Sequence, residues 1–182
     1  MGKTYEAITP ELAEWIGRQQ LFFVATAPSG ASGHVNLSPK GPIQSLRVLD
    51  ERTVAYLDLV GSGAETVAHL RENGRIAVMF CAFDGPPRIL RLHGHGEVLP
   101  VGALEFGDLG ELPEQRRTVI RVDVQRVATA CGFGVPLMDF VGSRNNARRW
   151  AEGRLAKDGP GALEAYKAEK NTVSIDGLPA IA

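Results

Sequence analysis

Cysteine is scarce in this chain, and the little there is forms no pattern. Cys81 lies within an apolar strand and Cys131 precedes a Gly-Phe-Gly loop, two residues among 182 that make neither a disulfide framework nor a metal-ligand spacing. Both read as buried structural thiols. An excess of charge of one sign is missing too. Acids and bases are interspersed and sum to a formal −1, leaving no basic face for nucleic acid, so nucleic acid is excluded as an expected partner. Long apolar runs are absent. The longest, near Ile76–Phe83, is too short to span a bilayer, and Met-Gly-Lys-Thr-Tyr-Glu at the start lacks the apolar core of a signal peptide. A soluble, cytoplasmic protein with no membrane partner is expected. His93 and His95 share a strand face by spacing, yet no third ligand accompanies them, and no metal site is expected.

The length suits one domain that buries roughly two thirds of its unfolded surface without disulfides or metals. Thr9-Pro10-Glu11 is a helix-start signal, with Leu12, Trp15 and Ile16 on one face of the helix that follows. Leu21–Ala27 and His34–Lys40, separated by Pro28-Ser-Gly-Ala-Ser-Gly33, read as a hairpin. Ile43–Leu49 and Thr53–Val60 read as a second. Ile76–Phe83 and Arg88–Leu99 flank Asp84-Gly85-Pro86-Pro87, a tight turn, and Thr118–Ala130 is one more long strand. Six or seven strands joined mostly by hairpins, with helices inserted rather than alternating, argue for an antiparallel barrel over a parallel α/β sheet. Beyond Cys131, Ser143–Leu155 and Gly161–Asn171 read as helices with too few large apolar residues for a core of their own. Trp150 is expected to anchor them to the barrel, and the Gly-Phe-Gly-Val-Pro-Leu-Met segment at 132–138 to pack on it. Val173–Pro179 reads as an extended tail.

The most informative stretch is Gly61-Ser-Gly-Ala-Glu-Thr66, set between a strand and a short helix that ends at Gly74. The first N–H groups of a helix lack intrahelical partners and carry the positive end of its dipole, which makes the turn a candidate phosphate cradle. Gly61 and Gly63 leave room for a ligand to approach the main chain, and Ser62 could cap the helix. Asn36, Ser38 and Lys40 share one face of the preceding strand by period-two alternation. Lys40 would supply a charge-assisted donor for a dianion.

These motifs, in the order helix, two hairpins, glycine turn plus helix, strand, Gly-Pro-Pro turn and strand, resemble the pyridoxamine 5′-phosphate oxidase-like flavoproteins. The likeness is strongest to an uncharacterised branch carrying His34-Val-Asn-Leu-Ser-Pro-Lys-Gly41, Gly61-Ser-Gly-Ala-Glu-Thr66 and Arg88-Ile-Leu-Arg-Leu-His-Gly94, with Cys131-Gly-Phe-Gly-Val-Pro136 and Lys170-Asn171 to Pro179 downstream. The resemblance implies an FMN-binding split β-barrel of the α+β class, core about 10–130, with residues 131–182 as a C-terminal helical extension and tail. It implies a homodimer with FMN in clefts between subunits, and oxidoreductase activity on a small molecule. Carried over by position, Lys40 matches the basic residue at the end of the second strand. Asn36, Ser38, Tyr56, Asp58, Gly61, Ser62, Gly63, Glu65 and Thr66 fall around the phosphate, with Glu65 expected to point away from it. Arg88 or Arg91 would approach the flavin ring or the substrate. Ala64-Glu65-Thr66 replaces a Ser-Arg-Lys triplet of the oxidase itself, removing two cations. Relatives on this barrel also bind deazaflavin or haem, so a carrier without turnover, or a scaffold whose site is lost, stand as the other expectations.

Overall fold

Three hairpins and one long strand build the body of the molecule. The computed structural model describes residues 2–181, and among these lie eight strands and four α-helices. In chain order they are β1 (Thr4–Tyr5), α1 (Pro10–Gly17), β2 (Phe22–Thr26), β3 (Asn36–Lys40), β4 (Leu46–Asp50), β5 (Thr53–Leu59), α2 (Glu65–Asn73), β6 (Arg75–Cys81), β7 (Ile89–Leu99), β8 (Arg116–Ala130), α3 (Asn146–Asp158) and α4 (Ala162–Lys170). Short 3₁₀ turns at Ile43–Ser45 and Pro113–Gln115 lead into β4 and β8.

Every strand pairing is antiparallel, in the order β3-β2-β6-β7-β8-β5-β4, with β1 added to β8. The hairpins expected from the sequence all form; the two-residue β1 was not expected. The sheet curls but does not close, because β3 and β4 are its two ends. β4 pairs only residues 53–56 of β5, so β5 runs on toward Leu59 with a strand on one side alone. That open edge is the split in the barrel. β8 can serve β1, β5 and β7 because it is 15 residues long, and a register shift at His93/Gly94 leaves Gln125 as an extra residue opposite β7. Such a bulge bends and twists the strand.

Period-two alternation decides what the barrel encloses. Phe22, Val24, Tyr56, Phe80, Leu90, Leu92, Ile120 and Val122 are fully buried, each large side chain contributing about 1.5–3 kcal/mol by leaving water. Phe22 meets Tyr56 edge-on at 5.4 Å. Helix α1 begins as the sequence predicts: the Thr9 hydroxyl accepts the Leu12 N–H at 3.2 Å, Pro10 opens the helix, and Leu12, Trp15 and Ile16 face the core. Helix α2 ends on Gly74 with φ +70°, a left-handed conformation suited to glycine, and the Gly74 N–H closes onto the Leu70 carbonyl. Its buried face carries Thr66, Val67, His69 and Leu70.

Some expectations for the second half require correction. Cys81 is buried as expected, but Cys131 is exposed. Trp150 does not touch the barrel; it packs edge-on against Tyr166 at 4.9 Å and so joins α3 to α4. One link to the barrel is Gln115, fully buried, whose amide donates to the Ala147 carbonyl. Phe133 and Leu137 face outward, about 80% exposed, rather than packing on the barrel. The tail after α4 folds back over α2: Val173 bridges Pro179, and Ala180 enters the main core.

Candidate functional site

The inward face of β3 carries Asn36, Ser38 and Lys40, because Thr26, Val24 and Phe22 opposite them on β2 are core residues. At the split this face meets the end of β5, the turn at 61–64, the start of α2 and the start of β8. A cavity of about 240 Å³ lies there, lined by Asn36, Ser38, Lys40, Leu59, Gly61, Ser62, Gly63, Glu65, Thr66 and Arg117. Most of the residues singled out in the sequence therefore converge.

The charges beneath this cavity form one network. The Asp58 carboxylate is wholly buried. Lys40 Nζ sits 2.9 Å from its Oδ1, while Arg117 directs Nε at 2.7 Å and Nη2 at 2.6 Å to its Oδ2. Burial alone would raise the Asp58 pKa, but the two cations outweigh it and hold the carboxyl below its usual range. The Arg117 side chain is nearly enclosed, whereas Lys40 keeps about a fifth of its surface toward the cavity. Arg117 Nη1 also donates to the Gly63 carbonyl at 2.8 Å.

A neutral polar layer lies beside it. Asn36 Nδ2 donates to both Thr26 Oγ1 and Thr66 Oγ1, and Thr26 Oγ1 lies 3.0 Å from His69 Nδ1. β3 is thereby tied to the first turn of α2. His69 is fully buried, and desolvation pushes its pKa below the ordinary histidine value.

Four of the sequence-named residues stand elsewhere. Tyr56 belongs to the hydrophobic core, its hydroxyl buried without a partner among the described residues, and burial raises its pKa further than Asp58 does. It does not line the cavity, since it lies two positions deeper along β5 than Asp58. Asp58 itself acts only through Lys40 and Arg117. Arg88 lies over the Trp15 ring at 5.4 Å, just before β7 begins, and Arg91 is on the outward face of β7, between the buried Leu90 and Leu92. Neither lines this cavity.

The turn differs from expectation in two respects. The residue at the helix N-cap is Ala64, which offers no side-chain hydrogen bond, so Ser62 is not the cap. Glu65 does not point away: its carboxylate curls back over Gly63, filling the space a Cβ would need, and accepts the Ile175 N–H. Gly61 alone has open space around it. Two functional candidates were not recognised from the sequence. Arg117 follows another arginine in a run that reads as surface charge, and Asn171 stands at the end of a polar helix. Asn171 is fully buried, and its Nδ2 donates to the Gly61 carbonyl at 3.0 Å and the Gly63 carbonyl at 3.5 Å. The only sequence signal was the Lys170-Asn171 pair within the branch motif, which carried no role.

The donor set fits a phosphate ester. Lys40, Arg117, the unpaired N–H groups that open α2, and a Ser38 hydroxyl buried without a partner among the described residues surround one small polar space. An open-edged antiparallel split barrel with a polar, cation-lined mouth is thus the class that fold and site define.

Comparison with known proteins names the family. The family model described as pyridoxamine 5′-phosphate oxidase matches residues 8–131, and the chain belongs to that family. It is 39% identical over 196 residues, spanning 97% of this chain and 77% of the relative, to a pyridoxamine 5′-phosphate oxidase family protein of Aspergillus flavus called ustO. Group A Streptococcus HupZ superposes with a TM-score of 0.53 at 27% identity, over 66% of this chain and 91% of that one. A Lactobacillus delbrueckii protein named for the same oxidase superposes at 0.50 and 19% identity, over 68% of this chain and 94% of its own; it supports the fold alone. Among the described residues no helix is long and apolar enough to cross a membrane.

Proposed function

We propose that this chain is an FMN-dependent oxidoreductase acting on a small molecule as a homodimer. The observation that carries the reading is the convergence of Lys40, Arg117, Ser38 and the first amides of α2 on one cavity. Its volume suits the phosphate end of FMN, so the ring would lie outside it, toward a subunit seam. Phe133, Leu137, Met138, Phe140 and Val141, all exposed on one segment, supply apolar surface of the kind such a seam buries.

In this reading Lys40 meets the dianion with the N–H groups that Asp58 leaves free, and Arg117 holds its charge just below the cavity floor. Asp58 keeps the two cations adjacent despite their repulsion. Asn36 fixes β3 to α2, so the two walls of the cradle keep their spacing. FMN, when bound, supplies reversible two-electron chemistry, and the protein supplies position, charge and exclusion of water. Titrating the protein with FMN while following flavin fluorescence tests the proposal. Saturable quenching that is far weaker with riboflavin, which lacks the phosphate, is the expected result; no uptake of FMN removes the reading. A bound flavin that neither a nicotinamide nor a deazaflavin donor reduces would favour a carrier instead.

Glu65 makes a further outcome specific. Its carboxylate occupies the positive end of α2, where it competes with any incoming anion. Glu65→Gln is therefore expected to tighten FMN binding about two- to fivefold. An unchanged dissociation constant would mean that the phosphate does not approach this helix end.

A further inference from the structure

We propose that Asn171 and Arg117 are positioning residues that hold the Gly61 and Gly63 carbonyls and so aim the Ser62 amide into the phosphate cleft, an inference that rests on the flavin reading above. In a planar trans peptide the C=O and the following N–H point in opposite directions. A donor that captures a carbonyl therefore also sets where the next amide points.

Both glycine carbonyls of the turn are captured by side chains. The Asn171 amide takes Gly61 O at 3.0 Å and reaches Gly63 O at 3.5 Å, while Arg117 Nη1 takes Gly63 O at 2.8 Å. The next amides, Ser62 N–H and Ala64 N–H, then face away from these donors, and neither donates a hydrogen bond to any described residue. Ser62 lines the cavity, whereas Ala64 is fully buried, so the Ser62 N–H adds one directed donor to those that open α2. Without the two captures, glycines at 61 and 63 would let the peptide planes rotate freely.

Asn171 is held rigidly for this task. It is fully buried, its own N–H donates to the Lys167 carbonyl, and its carbonyl accepts the Ile181 N–H, so α4 holds it on one side and the returning tail on the other. Its Oδ1 is buried with no partner among the described residues. A group retained for packing alone would not leave a buried acceptor unmet, since that is an uncompensated cost. An amide is required rather than a carboxylate, because an Asp at this position would set negative oxygen against two carbonyl oxygens. The C-terminal tail, remote in sequence, thereby completes a site whose other parts lie before residue 120.

The test compares FMN with riboflavin on wild type, Asn171→Ala and Arg117→Lys, with melting of each protein measured without ligand. Arg117→Lys keeps a cation beside Asp58 but loses the guanidinium fork that also reaches Gly63, and it guards against a misfolded Asn171→Ala. Each variant is expected to bind FMN about five- to tenfold more weakly while riboflavin affinity stays within about twofold. FMN affinity unchanged in both folded variants, or an equal loss for FMN and riboflavin, overturns the positioning role and leaves the flavin reading intact. Wild type that takes up no FMN overturns both.

Discussion

Replacing Asp58 with asparagine is expected to lower folding stability by about 3–5 kcal/mol, the range seen when one member of a buried charge pair is removed. The cause is the pair of cations it serves. Arg117 is almost wholly enclosed, and Lys40 is mostly so; without the carboxylate, two like charges share a poorly hydrated space with no counter-ion. Asparagine keeps the shape, so packing is not the variable. Urea unfolding of both proteins at one pH measures the effect, and a difference under about 1 kcal/mol would show that water or rotation relieves the cations. The dependence on pH has a definite sign. The folded Asp58 pKa is depressed despite burial, by Lys40 first and then Arg117. Its stabilisation is therefore fully present above the unfolded value, about 3.9, and is lost as pH falls through the lower folded value. The gap between wild type and variant should stay constant down to about pH 5 and shrink only below about pH 4.

Lys40→Met is expected to weaken FMN binding about 10- to 100-fold, the worth of one charge-assisted hydrogen bond of about 1.5–3 kcal/mol. The fold should survive this change, because Asp58 keeps both of its hydrogen bonds from Arg117 and methionine preserves the length of the stem. Riboflavin affinity should move little. Fluorescence titration with the two ligands separates the outcomes, and parallel losses would show that Lys40 supports the cleft rather than the phosphate. Asp58 and Lys40 thus divide the labour: the buried carboxylate determines mainly stability, and the partly open ammonium determines mainly affinity.

Much of this architecture is legible in the residue order, for reasons of local geometry. Asn36, Ser38 and Lys40 share a face because strands alternate with period two, and β2 fixes which face by burying its partners. Thr9-Pro10 and Gly74 mark helix ends because capping and left-handed backbone are local demands. The cradle at 61–66 follows from a strand, glycines and a helix in succession. Tyr56, carried over from the resemblance together with Asp58, lies too deep in the barrel and joins the core. Arg88 and Arg91, expected nearer the ring or substrate than the phosphate, lie outside this cavity, because β7 begins after Arg88 and turns Arg91 outward.

The sequence by itself determined the strands, the hairpin connections and the turn where an anion can sit, because each depends on residues within a few positions of one another. Tertiary structure alone decided which charges meet there. Arg117 is 59 residues from the carboxylate it serves, and Asn171 is 110 from the carbonyl it holds. No pattern of period two or 3.6 links such positions. Arg117 reaches Asp58 because β8 pairs directly with β5, and Asn171 reaches the turn because α4 and the returning tail hold it there.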